Sequence, residues 1–198
     1  MTIVDDDKHP IPERKHCRRI NVAGHVHYLT FSCYRRRPFL SRDRSRQWFI
    51  DAVCTAREKH PFDLWAYVIM PEHAHLLLLP LADTYEIGDI LSAIKLPVAR
   101  RAAAFVRREA PESRSAMADI AMDGRVTLRF WQRGGGYDRN IWSDREIWEK
   151  IEYVNKNPVR RGLCQRADGW KWSSAADYAG TGSGPIPLDL DGVPRKTW

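Results

Sequence analysis

The stretch LWAYVIM at residues 64–70, then Pro71 and Glu72, then HAHLLLLP at 73–80, reads as two strands joined by a tight turn. The first run is apolar almost without interruption. That pattern belongs to a central strand buried on both faces, which has no solvent side to carry polar residues. Proline suits the turn because its φ is already fixed near the value a turn needs. The second run returns as the other arm of a hairpin.

Working outward, HVHYLTFSC from His25 is rich in aromatic and β-branched residues and predicts a first strand. RRRPF follows as a loop. Asp43 to Lys59 predicts a helix, with Trp48, Phe49, Ala52 and Val53 on one apolar stripe. Ile87 to Arg108 predicts a longer helix carrying Lys95, Arg100, Arg101, Arg107 and Arg108, which Pro97 should kink or divide. Residues 109–126 read as a loop or insertion. VTLRFWQ (126–132) reads as another strand, ended by Gly134 to Gly136. Ser143 with Glu146 forms a capping box. Behind it Ile147, Trp148, Ile151 and Val154 make the apolar face of a last helix. Pro158 disfavours helix at Asn157, so this helix should stop about there. The organisation expected is a mixed-charge arm over 1–20, one domain over 21–179, and an irregular Gly/Pro-rich tail over 180–198, with no internal repeats.

With 198 residues, 43% of them hydrophobic, and eight tryptophans, the chain can bury a real core. Lys and Arg number 32 against 25 Asp and Glu, a net charge of +7 that suits a polyanionic partner, nucleic acid above all. No apolar run reaches the roughly 18 residues of a membrane span. The polar start MTIVDDDKHP is not a secretory signal. Cys17, Cys33, Cys54 and Cys164 are scattered without a CxxC pair and read as reduced thiols. A cytoplasmic protein without a membrane partner is expected.

His73 and His75 stand two apart on a predicted strand, so both imidazoles project from one face. Such a pair can give a divalent metal two ligands but cannot complete a site. His25 and His27 have the same spacing, and spacing does not choose between the pairs. Context favours the second, which follows a buried strand and a tight turn, whereas the first adjoins the N-terminal arm. On the last helix, Tyr153 and Asn157 are four apart and share a face distinct from the apolar one. By itself a tyrosine there can simply pack its ring at the helix edge. Tyrosine can also act as a covalent nucleophile. Only roughly one phenol in a thousand is ionised at neutral pH, a deficit of about 4 kcal/mol. A metal that neutralises the attacked phosphate can offset much of it. The carbonyl oxygen of Asn157 suits a hard metal.

Taken in order, YVIMPEHAHLLLLP, FWQRGGGYDRNI, IEYVNKNPVRRGLC and WKWSSAADY resemble the REP-associated tyrosine transposases, relatives of the single-tyrosine insertion-sequence transposases in the HUH endonuclease superfamily. The resemblance covers most of the chain. It rests on a combination: a strand ending Met-Pro-x-His-hydrophobic-His and a helix ending Tyr-x-x-x-Asn-Pro. It implies an α+β, ferredoxin-like HUH nuclease fold, a central antiparallel sheet with helices against one face. It also implies a chemistry. Tyr153 attacks a phosphodiester of single-stranded DNA, leaving a 5′-phosphotyrosine and a free 3′-hydroxyl. The implied metal, Mg²⁺ or Mn²⁺, has His73, His75 and Asn157 as ligands, and the implied partner is single-stranded DNA with a hairpin, bound by a monomer or homodimer. Three departures stand out: the small Ala74 between the histidines, Gly134 to Gly136, and the poor fit of 97–126.

Phosphate contacts are expected from Arg35, Arg36, Arg37, Arg100, Arg101, Lys156, Arg160 and Arg161. Trp131, Tyr137 and Trp142 offer rings for unpaired bases. Two other functions compete: a catalytically silent relative that binds structured DNA or RNA, and a metal-dependent hydrolase that uses water. The intact His73, His75, Tyr153 and Asn157 argue against the first. The second would leave no protein–DNA adduct.

Overall fold

The hairpin forms as read. In the computed structural model, which describes residues 20–134 and 136–197, β2 (Phe62–Ile69) pairs antiparallel with β3 (His73–Pro80). The expected arm over 1–20 lies outside the described residues except for Ile20. The turn at Pro71 and Glu72 is anchored from both sides, because the Pro71 carbonyl accepts from Leu40 N and the Glu72 carbonyl from Cys33 N, each at 2.8 Å. β1 (Val26–Ser32) pairs antiparallel with β3, opposing Thr30 to His75. β6 (Tyr137–Ile141) pairs antiparallel with the other edge of β1. Among the described residues the sheet order is β2-β3-β1-β6. A β-bulge between Leu64 and Ala66 re-aims the start of β2.

α1 (Asp43–Lys59) joins β1 to β2, and α2 (Ile87–Arg108) joins β3 to the rest. With the strands they give the β-α-β-β-α-β order of a ferredoxin-like sheet. Strand alternation sorts the core into two layers. Leu29, Phe31, Ala74, Leu76 and Leu78 pack with Phe49, Val53, Ile90 and Ile94 of α1 and α2. Val26, Tyr28, Val68 and Leu77 pack with Ile147, Ile151 and Val154 of α4 (Asp144–Arg160). Helices therefore cover both faces, not one. The continuous apolar character of β2 and β3 has this physical cause: neither strand has a wet side.

Four local expectations are corrected. α2 runs undivided through Pro97. Only Val126–Leu128 (β5) of the 126–132 segment is strand, paired with β4 (Ala118–Ile120) in a separate ribbon. Beyond β5 the chain turns inward, where Tyr34 N donates to the Phe130 carbonyl at 2.8 Å and Trp131 bridges Cys33. The stretch 109–126 is not a plain loop, since it holds a 3₁₀ turn at Pro111–Ser113, the short α3 (Arg114–Met117) and β4. Finally, α4 continues past Asn157 to Arg160, with Pro158 inside it. Proline forfeits only one donor, and the end is closed by Gly162 N to the Val159 carbonyl and Leu163 N to the Pro158 carbonyl, each 2.9 Å. Gly162, at φ +68°, supplies the left-handed residue such a terminus requires.

At the start of α4, Ser143 Oγ accepts from Glu146 N at 3.3 Å, while the Glu146 carboxylate turns to Arg139 on β6. Beyond α5 (Ala175–Ala179) the tail has no regular structure except a 3₁₀ turn at Leu190–Gly192, yet it is docked. Ile186 is fully buried, Asp189 Oδ2 accepts from Leu64 N at 2.8 Å, and Trp148 Nε1 donates to the Pro194 carbonyl at 2.9 Å. The tail at Asp189, together with Trp172 and Ser174 ahead of α5, pairs with backbone groups along the outer edge of β2 that would otherwise be unpaired.

Candidate active site

β3 places His73 and His75 on the α4 side of the sheet, at its centre. The register that sets Thr30 opposite His75 also puts Tyr28 and Thr30 on that side. α4 crosses above them and lines the cleft with Lys150, Tyr153, Asn157 and Arg160, spaced three or four apart along one face. The cleft has a volume of about 620 Å³.

The two imidazoles meet head to head, with His73 Nε2 3.1 Å from His75 Nε2. Behind them, His75 Nδ1 lies 2.7 Å from Thr30 Oγ1 and 2.9 Å from Tyr28 Oη. His73 Nδ1 lies 3.2 Å from the Glu72 carboxylate. Asn157 closes the third side, its amide nitrogen 3.3 Å from His75 Nε2. Its Oδ1 is buried without a hydrogen-bond partner. A buried unpartnered oxygen beside two facing imidazole nitrogens is the donor set a divalent metal takes, once the amide rotates to present oxygen. Among the described residues no group of three His, Cys, Asp or Glu side chains converges, so the asparagine matters to any such site.

Burial disfavours the charged form of both histidines. It lowers His75 from 6.5 to about 3, with His73 as a second cause. His73 is lowered as well, chiefly by burial, against a raising influence of Glu72. Both imidazoles are therefore neutral at physiological pH, the form in which an imidazole can ligate a metal. Burial pushes Tyr28 up to about 12, so its phenol stays protonated and serves as a hydrogen-bonding group.

Tyr153 stands at the mouth, 36% exposed. Its ring centre is 5.7 Å from that of His75, and the Arg160 guanidinium carbon lies 5.0 Å from the Tyr153 ring. Arg36 reaches the cleft from the loop after β1, where Arg35 and Arg36 both hold φ +53°. Two successive non-glycine residues in the left-handed region cost roughly 1–3 kcal/mol each, so this loop is held against its own preference.

The other pair is built differently. His27 is fully buried on the α1/α2 side, its Nδ1 2.8 Å from Asp138 Oδ1 and its Nε2 2.7 Å from Tyr85 Oη. His25 lies just before β1, its ring against Trp142.

Of the expected nucleic-acid contacts, Arg36, Arg160 and Arg161 line the cleft, and Arg161 also pairs with Glu72 at 3.0 Å. Arg35 and Arg37 are exposed in the same loop as Arg36. Lys156 points away and pairs with Glu152 at 3.1 Å. Arg100 and Arg101 are on α2, across the sheet from the cleft, with Arg101 paired to Asp51. Trp131 cannot stack on bases: it is 6% exposed, packed against Phe31, Phe49 and Phe130, and donates from Nε1 to the Lys95 carbonyl. Trp142 is 70% exposed and Tyr137 lines the cleft mouth. Sequence reading missed Tyr28, Thr30, Glu72 and Lys150 as site residues. The alternation of β1 opposite the histidine strand carried the signal for the first two, and the i−3 position before Tyr153 carried it for Lys150.

No family model matches the chain. It is 25% identical over 166 residues to a Haemophilus influenzae protein whose name assigns it provisionally to the REP-associated tyrosine transposases, covering 79% of this chain and 83% of that one. The fold matches a solved REP-associated tyrosine transposase bound to a REP hairpin at TM-score 0.62 and 19% identity, across 91% of this chain and 97% of the other. Fold and relatives together define an α+β protein of the transposase class. Both of these relatives bear the name of the REP-associated tyrosine transposases, the family that this chain's motifs resemble.

Proposed function

We propose that the chain is a single-strand DNA endonuclease and strand-transferase, acting at hairpin-flanked sites through a 5′-phosphotyrosine on Tyr153. One observation carries the reading. Tyr153 and Asn157 come from one helix and line the cleft where the Nε2 atoms of His73 and His75 converge, and a rotation of the Asn157 amide would turn its unpartnered Oδ1 toward them. The residues fit Mg²⁺ or Mn²⁺, with His73 Nε2, His75 Nε2 and Asn157 Oδ1 as protein ligands. Such an ion, when bound, supplies Lewis-acid polarisation of the scissile phosphate.

The chain's own residues do the rest. Tyr153 Oη attacks phosphorus, forming the P–Oη bond as the P–O3′ bond breaks. The phenol gives up its proton, and the departing 3′-oxygen takes one from solvent. Attack by a 3′-hydroxyl on the phosphotyrosine reverses the step and joins strands. Arg36, Lys150 and Arg160 around the mouth attract the backbone phosphates. The partly exposed position of Tyr153 lets a flexible strand approach its hydroxyl. The hairpin in the solved relative supports a hairpin as this chain's partner.

The experiment incubates the chain with Mg²⁺ or Mn²⁺ and a labelled single strand flanking a hairpin from its own neighbouring DNA. A covalent protein–DNA band from the wild type, absent from Tyr153→Phe, is the expected result. Tight binding with no adduct under either metal would replace this reading with that of a silent DNA- or RNA-binding relative.

A further inference from the structure

The turn between β2 and β3 carries a carboxylate that the chemistry above does not use. The Glu72 side chain is 12% exposed. Its Oε1 lies 3.2 Å from His73 Nδ1 and 3.0 Å from Arg161 Nη2. One oxygen thus touches an imidazole of the histidine strand and the residue that closes α4. Arg161 is about half exposed and could as well face water or phosphate, yet it is held inward on this carboxylate.

An ionised carboxylate accepts hydrogen bonds and cannot donate. His73 Nδ1 must therefore be the donor in that contact. In a neutral imidazole the lone pair is then on Nε2, the atom that faces His75. His75 is held by another logic. Its Nδ1 neighbours are the hydroxyls of Thr30 and Tyr28, and each can donate or accept. One imidazole is set by its neighbour, and the other can adjust its proton to whatever stands between the two.

We propose that Glu72 is a positioning residue with two grips. It fixes His73 with the proton on Nδ1 and the Nε2 lone pair facing the cleft. Through Arg161 it also keeps the C-terminal end of α4, and with it Asn157 and Tyr153, in register with the histidine strand. The proposal rests on the reading of His73 and His75 as ligands. Its chemistry is that of a carboxylate behind a metal-binding imidazole, joined here to a tie between the two elements that carry the site.

The first measurement is long-range ¹H–¹⁵N NMR of the metal-free chain, which reports which ring nitrogen of each histidine carries the proton. Wild type should show His73 protonated on Nδ1. Glu72→Ala should move that proton largely to Nε2, and Glu72→Gln, whose side-chain oxygen still accepts, should keep it on Nδ1. The second is calorimetric titration with Mn²⁺ alone. Glu72→Ala should weaken binding roughly 10- to 100-fold, and Arg161→Ala by less. Adding Arg161→Ala to Glu72→Ala should cost little more, because the arginine acts through the carboxylate. Arg161→Ala, a surface change, keeps the second grip testable should Glu72→Ala not fold. An unchanged His73 tautomer in Glu72→Ala, or unchanged Mn²⁺ affinity, overturns the first grip. Additive losses for the two substitutions overturn the second. A wild type that binds no Mn²⁺ overturns the ligand reading itself, and the tautomer then still decides the grip on His73.

Discussion

Asn157 on α4 reaches His75 on β3, amide nitrogen to Nε2 at 3.3 Å, with the asparagine's own oxygen left buried and unpartnered. A buried polar atom without a partner is costly, and the metal proposed between the two elements would relieve that cost.

Asn157→Ala should weaken Mn²⁺ binding and slow adduct formation more than it weakens DNA binding, because it deletes one oxygen and little of the basic rim. Asn157→Gln, which keeps the oxygen on a longer arm, should recover part of the metal affinity. Calorimetry on both variants checks this. Wild-type affinity in the alanine variant would mean that another group completes the site.

The folded chain should lose stability as pH falls from 7 to 5 in the absence of metal. The unfolded chain protonates its histidines near pH 6.5. The folded chain resists, because burial holds His75 down to about 3 and His73 below its usual value. Protons then favour the unfolded state from about pH 6.5 downward, by up to about 1.4 kcal/mol per pH unit for each such histidine. Urea melts at several pH values, compared with His75→Gln, isolate the contribution. The variant should show the shallower slope, and identical slopes would refute the claim.

Much of this could be read from the chain. The hairpin, α1 and α2 follow from apolar periodicity, and the shared helix face of Tyr153 and Asn157 from their spacing, while the roles proposed for them rest on the resemblance. What escaped had physical reasons. β6 reads YDRNI, a polar edge strand whose pairing to β1 rather than its own propensity makes it a strand. α4 continues through Pro158 because a glycine-closed terminus satisfies the carbonyls beyond it. Trp131 looked like a stacking ring because composition does not say which way a ring faces, and the bridge to Cys33 turns it inward. The Glu72 contact to Arg161 joins a turn to a distant helix end, and no local pattern encodes it.

Trp131 and Trp142 should separate cleanly. Trp131→Ala removes a ring packed among three phenylalanines and should cost about 3–5 kcal/mol of stability. Trp142→Ala should leave stability within about 0.5 kcal/mol. If the exposed ring stacks on an unpaired base, it should lose about 1–3 kcal/mol of single-strand affinity. Thermal melts and fluorescence titrations read the two effects, and a reversed pattern would contradict the burial described here.

Binding should favour a hairpin with a single-stranded flank over continuous duplex and should weaken steeply with salt. Arg36, Lys150 and Arg160 line the cleft, and each phosphate contact releases counterions, with a slope of about −0.7 per contact on single strands. Tyr153→Phe, which cannot form the adduct, is the protein for this titration. Tightest binding to plain duplex would favour an architectural role.

Three tyrosines line the cleft, Tyr28, Tyr137 and Tyr153, and the proposed chemistry belongs to one of them. Burial disfavours Tyr28, which is 6% exposed and has its phenol pushed up to about 12. Tyr137 lies on the edge strand β6 and not on the helix that carries Asn157. The direct test is to trap the covalent adduct on a hairpin oligonucleotide, digest it, and locate the nucleotide-bearing residue by mass spectrometry. A 5′-phosphate linkage on the peptide containing Tyr153, and on no other, is the expected result. An adduct on Tyr28 or Tyr137, or cleaved DNA with no protein attached, would contradict it.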